Sequence, residues 1–82
     1  MELTQLVKQY VKTRDDFVRR IAALTQQLNA WTDEHSEVAP TLTDVARFEG
    51  LRAQRSRLLS EFTEAEDDFV VRLLQMLSSA PR

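Results

Sequence analysis

Apolar residues recur at every seventh position along most of this chain. In the first half they form two interleaved columns, and eight of the nine positions are apolar; the exception is Arg14. The two columns are Leu3, Tyr10, Phe17, Leu24 and Trp31, and Val7, Arg14, Ile21 and Leu28. Val11 and Val18 widen this stripe on one flank. Alternating steps of three and four residues are typical of a helix that packs lengthwise on another helix, so the pattern predicts a coiled-coil-like helix.

The second half of the chain repeats this spacing on a broader stripe. Its seventh-residue column is Phe48, Arg55, Phe62, Phe69 and Met76. The apolar residues flanking that column are Val45, Leu51, Leu58, Leu59, Ala65, Val70, Leu73 and Leu77. Gly50 interrupts the pattern at a cost of about 1 kcal/mol relative to alanine. It marks a bend, a close approach of the backbone, or a position where glycine is simply tolerated.

A break in the helical pattern separates the halves at HSEVAPTLTD (35–44). The residue before Pro40 is disfavoured in helical geometry, and Thr41 or Thr43 is suited to cap a new helix with Asp44 in its first turn. Pro81 is expected to stop that helix. We therefore expect helices at about 3–34 and about 42–78 and a loop at about 35–41, within a single domain over 1–82. A short loop between long helices predicts an all-α antiparallel two-helix hairpin.

Folding the chain back at Pro40 pairs residues whose numbers sum to about 80. Opposite charges then fall side by side, which supports a hairpin over one long helix. The expected ion pairs are Lys12 with Asp68, Arg14 with Glu66, and Arg19 with Glu61.

Composition narrows the possible functions. The 82 residues include no cysteine, so neither a disulfide nor thiolate chemistry is available. The longest apolar runs, such as 69–71, are far shorter than a membrane span, and the N-terminus does not resemble a signal peptide. We expect a cytoplasmic protein, with export by a signal-less route left open. The single histidine, His35, is expected in a solvated loop, and we expect no metal, cofactor, small-molecule substrate or enzymatic activity.

Two helices share only one seam, and this chain has more apolar side chains than one seam buries. We expect the hairpin to complete a four-helix bundle, either by dimerising or by docking on a protein partner. The apolar residues predicted to bind a partner are Trp31, Phe48, Phe62, Phe69, Val70 and Leu74.

A cluster of arginines lies in RFEGLRAQRSR (47–57). In the expected register Arg52, Arg55 and Arg57 face residues 23–28, which include no acid, so they lack an intramolecular partner. The cluster is either a solvated helix face or a partner-binding surface centred on Arg55. Nucleic acid binding by the whole cluster, including Arg47, is a further alternative, although the net charge of −2 disfavours it.

Two resemblances bear on function. Trp31 near the turn and the later segment FTEAE (62–66) resemble WXG-type secreted hairpins, although Asp33 stands where those proteins have glycine. In length and outline the chain is similar to the small two-helix needle subunits and co-chaperones of bacterial type III secretion. The leading hypothesis is a protein–protein interaction module of adaptor, chaperone-like or regulatory type. The resemblance implies an alternative, a structural subunit or co-chaperone of a larger assembly such as a secretion apparatus.

Overall fold

The computed structural model describes residues 2–79. Two helices, α1 (Leu3–Glu34) and α2 (Leu42–Ser78), pack against each other and confirm the predicted all-helical hairpin. Their ends lie where the sequence pattern places them. The predicted stop at Pro81 lies outside the described residues.

Aromatic pairs across the seam set the register of the hairpin. The ring centroids are separated by 4.1 Å in Tyr10–Phe69, 5.3 Å in Phe17–Phe62 and 4.7 Å in Trp31–Phe48. In each pair the residue numbers sum to 79, which confirms the predicted register of about 80 and the antiparallel direction. The seventh-residue columns of the two helices therefore face each other layer by layer.

The predicted ion pairs between the helices are wrong for all three basic residues. Arg14 bonds to Asp15 at 3.1 Å and Arg19 to Asp16 at 3.6 Å, both within α1. Lys12 is exposed, and the carboxylate of Asp68 binds Arg72 at 2.9 Å within α2. Residues that share a layer can still point to different sides of their helices, so opposite charge at one height does not place two side chains in contact.

A capping box begins α2. The Thr41 hydroxyl accepts a hydrogen bond from the backbone N–H of Asp44, and the Asp44 carboxylate accepts one from the backbone N–H of Thr41 at 2.9 Å. Of the two threonines that the sequence offered as caps, Thr41 is therefore the one used. Each residue satisfies a backbone donor of the other, which stabilises the first turn.

The hairpin is long and thin, with principal extents of 66 × 16 × 13 Å. Its radius of gyration is 18.8 Å, compared with about 12 Å for a compact chain of this length. Only Leu6 and Leu28, each 4% exposed, are buried among the described residues. The seam therefore sets the register but does not enclose a core.

Gly50 lies inside α2 in an ordinary helical conformation. A Cβ atom built on it meets no other atom within 4 Å, so the backbone has no close neighbour at this position. Of the explanations offered by the sequence, the close approach is wrong for the hairpin itself.

We predict that Gly50→Ala stabilises the hairpin by roughly 0.5–1 kcal/mol, because alanine restricts the unfolded chain more than glycine and fits here without strain. Urea unfolding followed by circular dichroism measures the change. An unchanged or lower stability would show that the open space beside Gly50 is filled when the protein is in solution.

Candidate functional site

An apolar groove runs along one side of the hairpin, at the middle of both helices. We call it the central groove, and its lining is Val18, Ile21, Ala22, Thr25, Gln26, Leu59 and Phe62. Val18 and Leu59 form its two edges and remain 51% and 47% exposed. No charged side chain lines the groove, so water there meets mainly hydrocarbon.

The opposite side of the hairpin is polar at the same height. A shallow depression there is lined by Arg20, Leu24, Gln54, Arg57, Leu58 and Glu61. We call this the polar side. Because it carries three charged side chains where the central groove has none, the two sides of the seam differ in chemistry.

A second apolar surface lies near the free end of α2. Val71 and Leu74 are 51% and 58% exposed there. Leu73 and Met76 are half-buried in the seam. Since successive residues turn by about 100° around a helix, Leu74 points away from α1. We call Val71 and Leu74 the outward stripe; the predicted partner-binding residue Leu74 lies on it, outside the central groove.

Val70, another predicted partner-binding residue, is 52% exposed. It follows the groove residue Leu59 by eleven residues, or about three helical turns, so it lies on the groove side of α2 but beyond the groove itself.

The structure disperses the arginine cluster around α2. Arg52 bonds to Glu49 at 3.0 Å, and Arg55 donates to the hydroxyl of Thr25 at 3.3 Å. The prediction that these two arginines lack an intramolecular partner is therefore wrong. The third, Arg57, lies on the polar side. Arg47 is exposed like Arg57. Arg55 is half-buried beside Thr25 at the loop end of the central groove, where its long stem packs in the seam while its head reaches a hydroxyl.

The predicted aromatic residues lie mainly in the seam. Phe48, Phe69 and Trp31 are half-buried in ring pairs between the helices. Phe62 stacks on Phe17 and also contributes to the central groove. Phe62 is thus the one predicted aromatic residue that belongs to both the seam and the groove.

A polar cluster formed by Trp31, His35 and Asp44 closes the loop end of the hairpin, and we call it the buckle. The indole N–H of Trp31 donates to the backbone carbonyl of Asp44 at 2.8 Å. The ring of His35 packs on Trp31 with centroids 4.3 Å apart, and its Nδ1 lies 2.8 Å from the Trp31 carbonyl. Its Nε2 lies 3.3 Å from a carboxylate oxygen of Asp44.

The expectation that His35 is a solvated loop residue is wrong, since its side chain is only 13% exposed. The sequence placed His35 among acidic loop residues but did not indicate that the first residue after α1 packs back on Trp31. This packing follows from the helix end, where the His35 backbone N–H donates to the Trp31 carbonyl at 3.2 Å.

Glu66 lies at the edge of the seam, near Tyr10 of α1. Burial raises the pKa of Tyr10, and the nearby carboxylate of Glu66 raises it further by disfavouring the phenolate. Glu66 is exposed, so its carboxylate remains accessible from solvent.

The partner-binding residues predicted from the sequence did not include Val18 and Leu59, which line the central groove. Both residues were recognised as flanking the seam, and that position was the feature of the sequence that could have indicated the groove. An apolar residue on the flank of a seam that already has its own apolar columns is not needed by the hairpin alone.

Comparison with known protein families, with curated proteins and with solved structures finds no match for this chain. Within residues 2–79, neither helix contains a stretch long and apolar enough to cross a membrane.

We predict an acid-induced change in the buckle. Hydrogen bonds from Thr41, followed by the nearby His35, lower the pKa of Asp44 below its ordinary value. A lowered pKa in the folded state contributes stability above the unfolded pKa of about 3.9 and loses it as the pH falls through the folded value. Fluorescence of Trp31, the only tryptophan, should therefore show a transition below about pH 4.

Asp44→Asn should remove most of that acid transition, whereas Glu37→Gln, which alters an exposed loop carboxylate, should preserve it. An Asp44→Asn variant with the same acid transition as the parent would contradict this account of the buckle.

Proposed function

We propose that this protein is a non-enzymatic interaction module whose central groove binds α-helices. The observation that carries the proposal is the position of an uncharged, apolar groove along the middle of a hairpin that encloses almost no core. A groove of this kind matches the apolar face of an amphipathic helix, which binds through residues spaced three and four apart.

The surface area of the hairpin supports this proposal. The accessible surface is 6461 Å², whereas a compact protein of this mass exposes about 5,000 Å². The excess of about 1,400 Å² is close to what one partner contributes to a large protein–protein interface. The excess reflects the thin shape of the hairpin, so a partner that covers one whole side, including the groove, would bring the exposed area toward that of an ordinary folded domain.

The chemistry of the groove also favours binding over catalysis. Its lining has no carboxylate, imidazole, amine or thiol, and its polar atoms come from one hydroxyl and one amide, in Thr25 and Gln26. Such a surface offers burial and shape rather than proton transfer or nucleophilic attack. An adaptor, chaperone-like or regulatory role follows if the helices that bind there belong to another protein.

A second candidate function is a structural subunit of a larger assembly. The outward stripe favours it, because two separate apolar surfaces on one molecule permit contacts that do not close into a dimer. A chain joined to neighbours through both surfaces would add subunits continuously as concentration rises.

Matched leucine substitutions on α2 test the proposal. We predict that Leu59→Glu, which places a charge in the central groove, abolishes assembly, because an unpaired charge is costly to bury. Leu74→Glu makes the same chemical change on the outward stripe and should leave assembly intact. Light scattering across a wide concentration range measures the mass, and circular dichroism confirms that both variants stay helical.

The outcomes separate the two candidates. A closed assembly that only Leu59→Glu disrupts supports the interaction module. Continuous growth that Leu74→Glu stops at a small assembly would favour the structural subunit. If Leu59→Glu assembles like the parent chain, the central groove is not the docking surface and the proposed function is wrong.

A further inference from the structure

We infer that a second copy of this chain occupies the central groove, packed antiparallel across a two-fold axis that passes beside Leu59. This inference rests on the proposed function and names the occupant of the groove. Three observations carry it: the position of the groove, the order of charges along its edge, and the area left exposed.

The groove lies where a two-fold axis gives the greatest overlap. Val18 is at the middle of α1, and Leu59 is at the middle of α2. Two hairpins related by an axis through this point overlap along their full length of about 50 Å at 1.5 Å per residue. A groove near either end would leave half of each hairpin uncovered in the same arrangement.

The edge of α2 on the groove side is charge-complementary to itself. Every seventh residue along this edge forms the column Val45, Arg52, Leu59, Glu66 and Leu73. Arg52 and Glu66 each lie seven residues from Leu59, on opposite sides of it. A half-turn about Leu59 therefore places Arg52 against Glu66 of the second copy, and Glu66 against its Arg52.

The remaining residues of these edges are compatible with the same rotation. Val45 meets Leu73 of the second copy, and Leu59 meets Leu59, so the other contacts of the α2 edge are apolar. The corresponding edge of α1 contains no charged residue, and the guanidinium of Arg55 reaches it at Thr25. This edge consists of Thr4, Val11, Val18, Thr25 and Thr32.

Charge order also selects the direction of the second copy. In a two-hairpin bundle with the loops at opposite ends, α2 lies on α2 of the second copy and the two charge pairs form. With the loops at the same end, α2 lies on α1 of the second copy. Residues at the same level of the two helices have numbers that sum to 79. Arg52 would then lie opposite Gln27 of the second copy, and Glu66 would lie opposite its Thr13. Neither residue is charged, so in this direction Arg52 keeps only its pair with Glu49 of its own chain, and neither Arg52 nor Glu66 gains an ion pair with the second copy.

The exposed area is sufficient for a stable dimer. If each chain buries its excess of about 1,400 Å², the interface totals about 2,800 Å², within the range of obligate homodimers. Four helices around a shared core would then enclose Leu59, Val18 and Phe62, which the single hairpin leaves partly exposed.

The absence of cysteine makes cross-linking a direct test. At the axis, helices packed about 8–10 Å apart bring directly facing Cα atoms to about 3.4–5.4 Å, which overlaps the range of separations that a disulfide spans. We expect Leu59→Cys to form a covalent dimer rapidly under mild oxidation, whereas Leu74→Cys on the outward stripe should not. Reduction should return the Leu59→Cys protein to a non-covalent dimer of the same mass.

Charge reversal provides an independent measurement. Arg52→Glu should raise the dimer dissociation constant roughly tenfold or more, because the symmetry converts two ion pairs into two like-charge contacts. Combining it with Glu66→Arg should restore the constant to within about threefold by reversing both partners. Arg57→Glu, an equal charge change on the polar side, should have little effect.

The negative results distinguish the second copy from the proposed helix-binding groove. Suppose that assembly depends on Leu59 but that Leu59→Cys forms no cross-link and the double charge reversal restores nothing. That result would overturn the antiparallel second copy. The proposed helix-binding groove would survive that result. A parent chain that stays monomeric at every concentration would also overturn the inference. Assembly that Leu59→Glu leaves unchanged would overturn both.

Discussion

The rest of the structure depends on a single seam between two long helices. Its layers pair aromatic rings from the two seventh-residue columns, as in Tyr10–Phe69 and Phe17–Phe62, and these pairs fix the register. A seam one side chain wide orders the helices but cannot exclude water from both of its flanks. The hairpin therefore has a defined shape without a closed core, and its flanks stay exposed to solvent.

The two flanks are chemically different, and the proposed binding side is the apolar one. Val18 and Leu59 make one flank apolar, whereas Arg57 and Glu61 make the other polar at the same height. The polar side is compatible with water as it stands. Association through the apolar side would join the hydrophobic surfaces of two or more helices into one core, which is the usual route by which thin helical elements gain stability.

The backbone was more predictable from the sequence than the side-chain contacts. The two helices follow from columns of five residues in each, and the start of α2 follows from Thr41 and Asp44, because both depend on spacing along a helix. The register follows from folding the chain back at the proline between the helices. The predicted ion pairs of Arg14 and Arg19 were wrong because the level of a residue along the hairpin does not specify toward which side of its helix the side chain points. The prediction that His35 is solvated was wrong because its burial depends on the backbone conformation of one residue at the end of α1, which no periodic pattern encodes.

The same distinction explains the predicted site. Phe48, Phe69 and Trp31 are large and apolar, but the hairpin itself uses them in its seam. Val18 and Leu59 are smaller and less conspicuous, and the seam leaves them half-exposed. The residues that the seam leaves exposed, rather than the largest apolar residues in the chain, therefore define the proposed docking surface.

The most direct test of this account is the thermal unfolding of the parent chain at protein concentrations that span at least a hundredfold range. If association through the central groove stabilises the hairpin, mass action requires the melting temperature to rise with concentration. The expected result is a rise of several degrees across that range. A cooperative transition whose midpoint is the same at every concentration would contradict it, because the isolated hairpin would then be stable with its groove exposed to water.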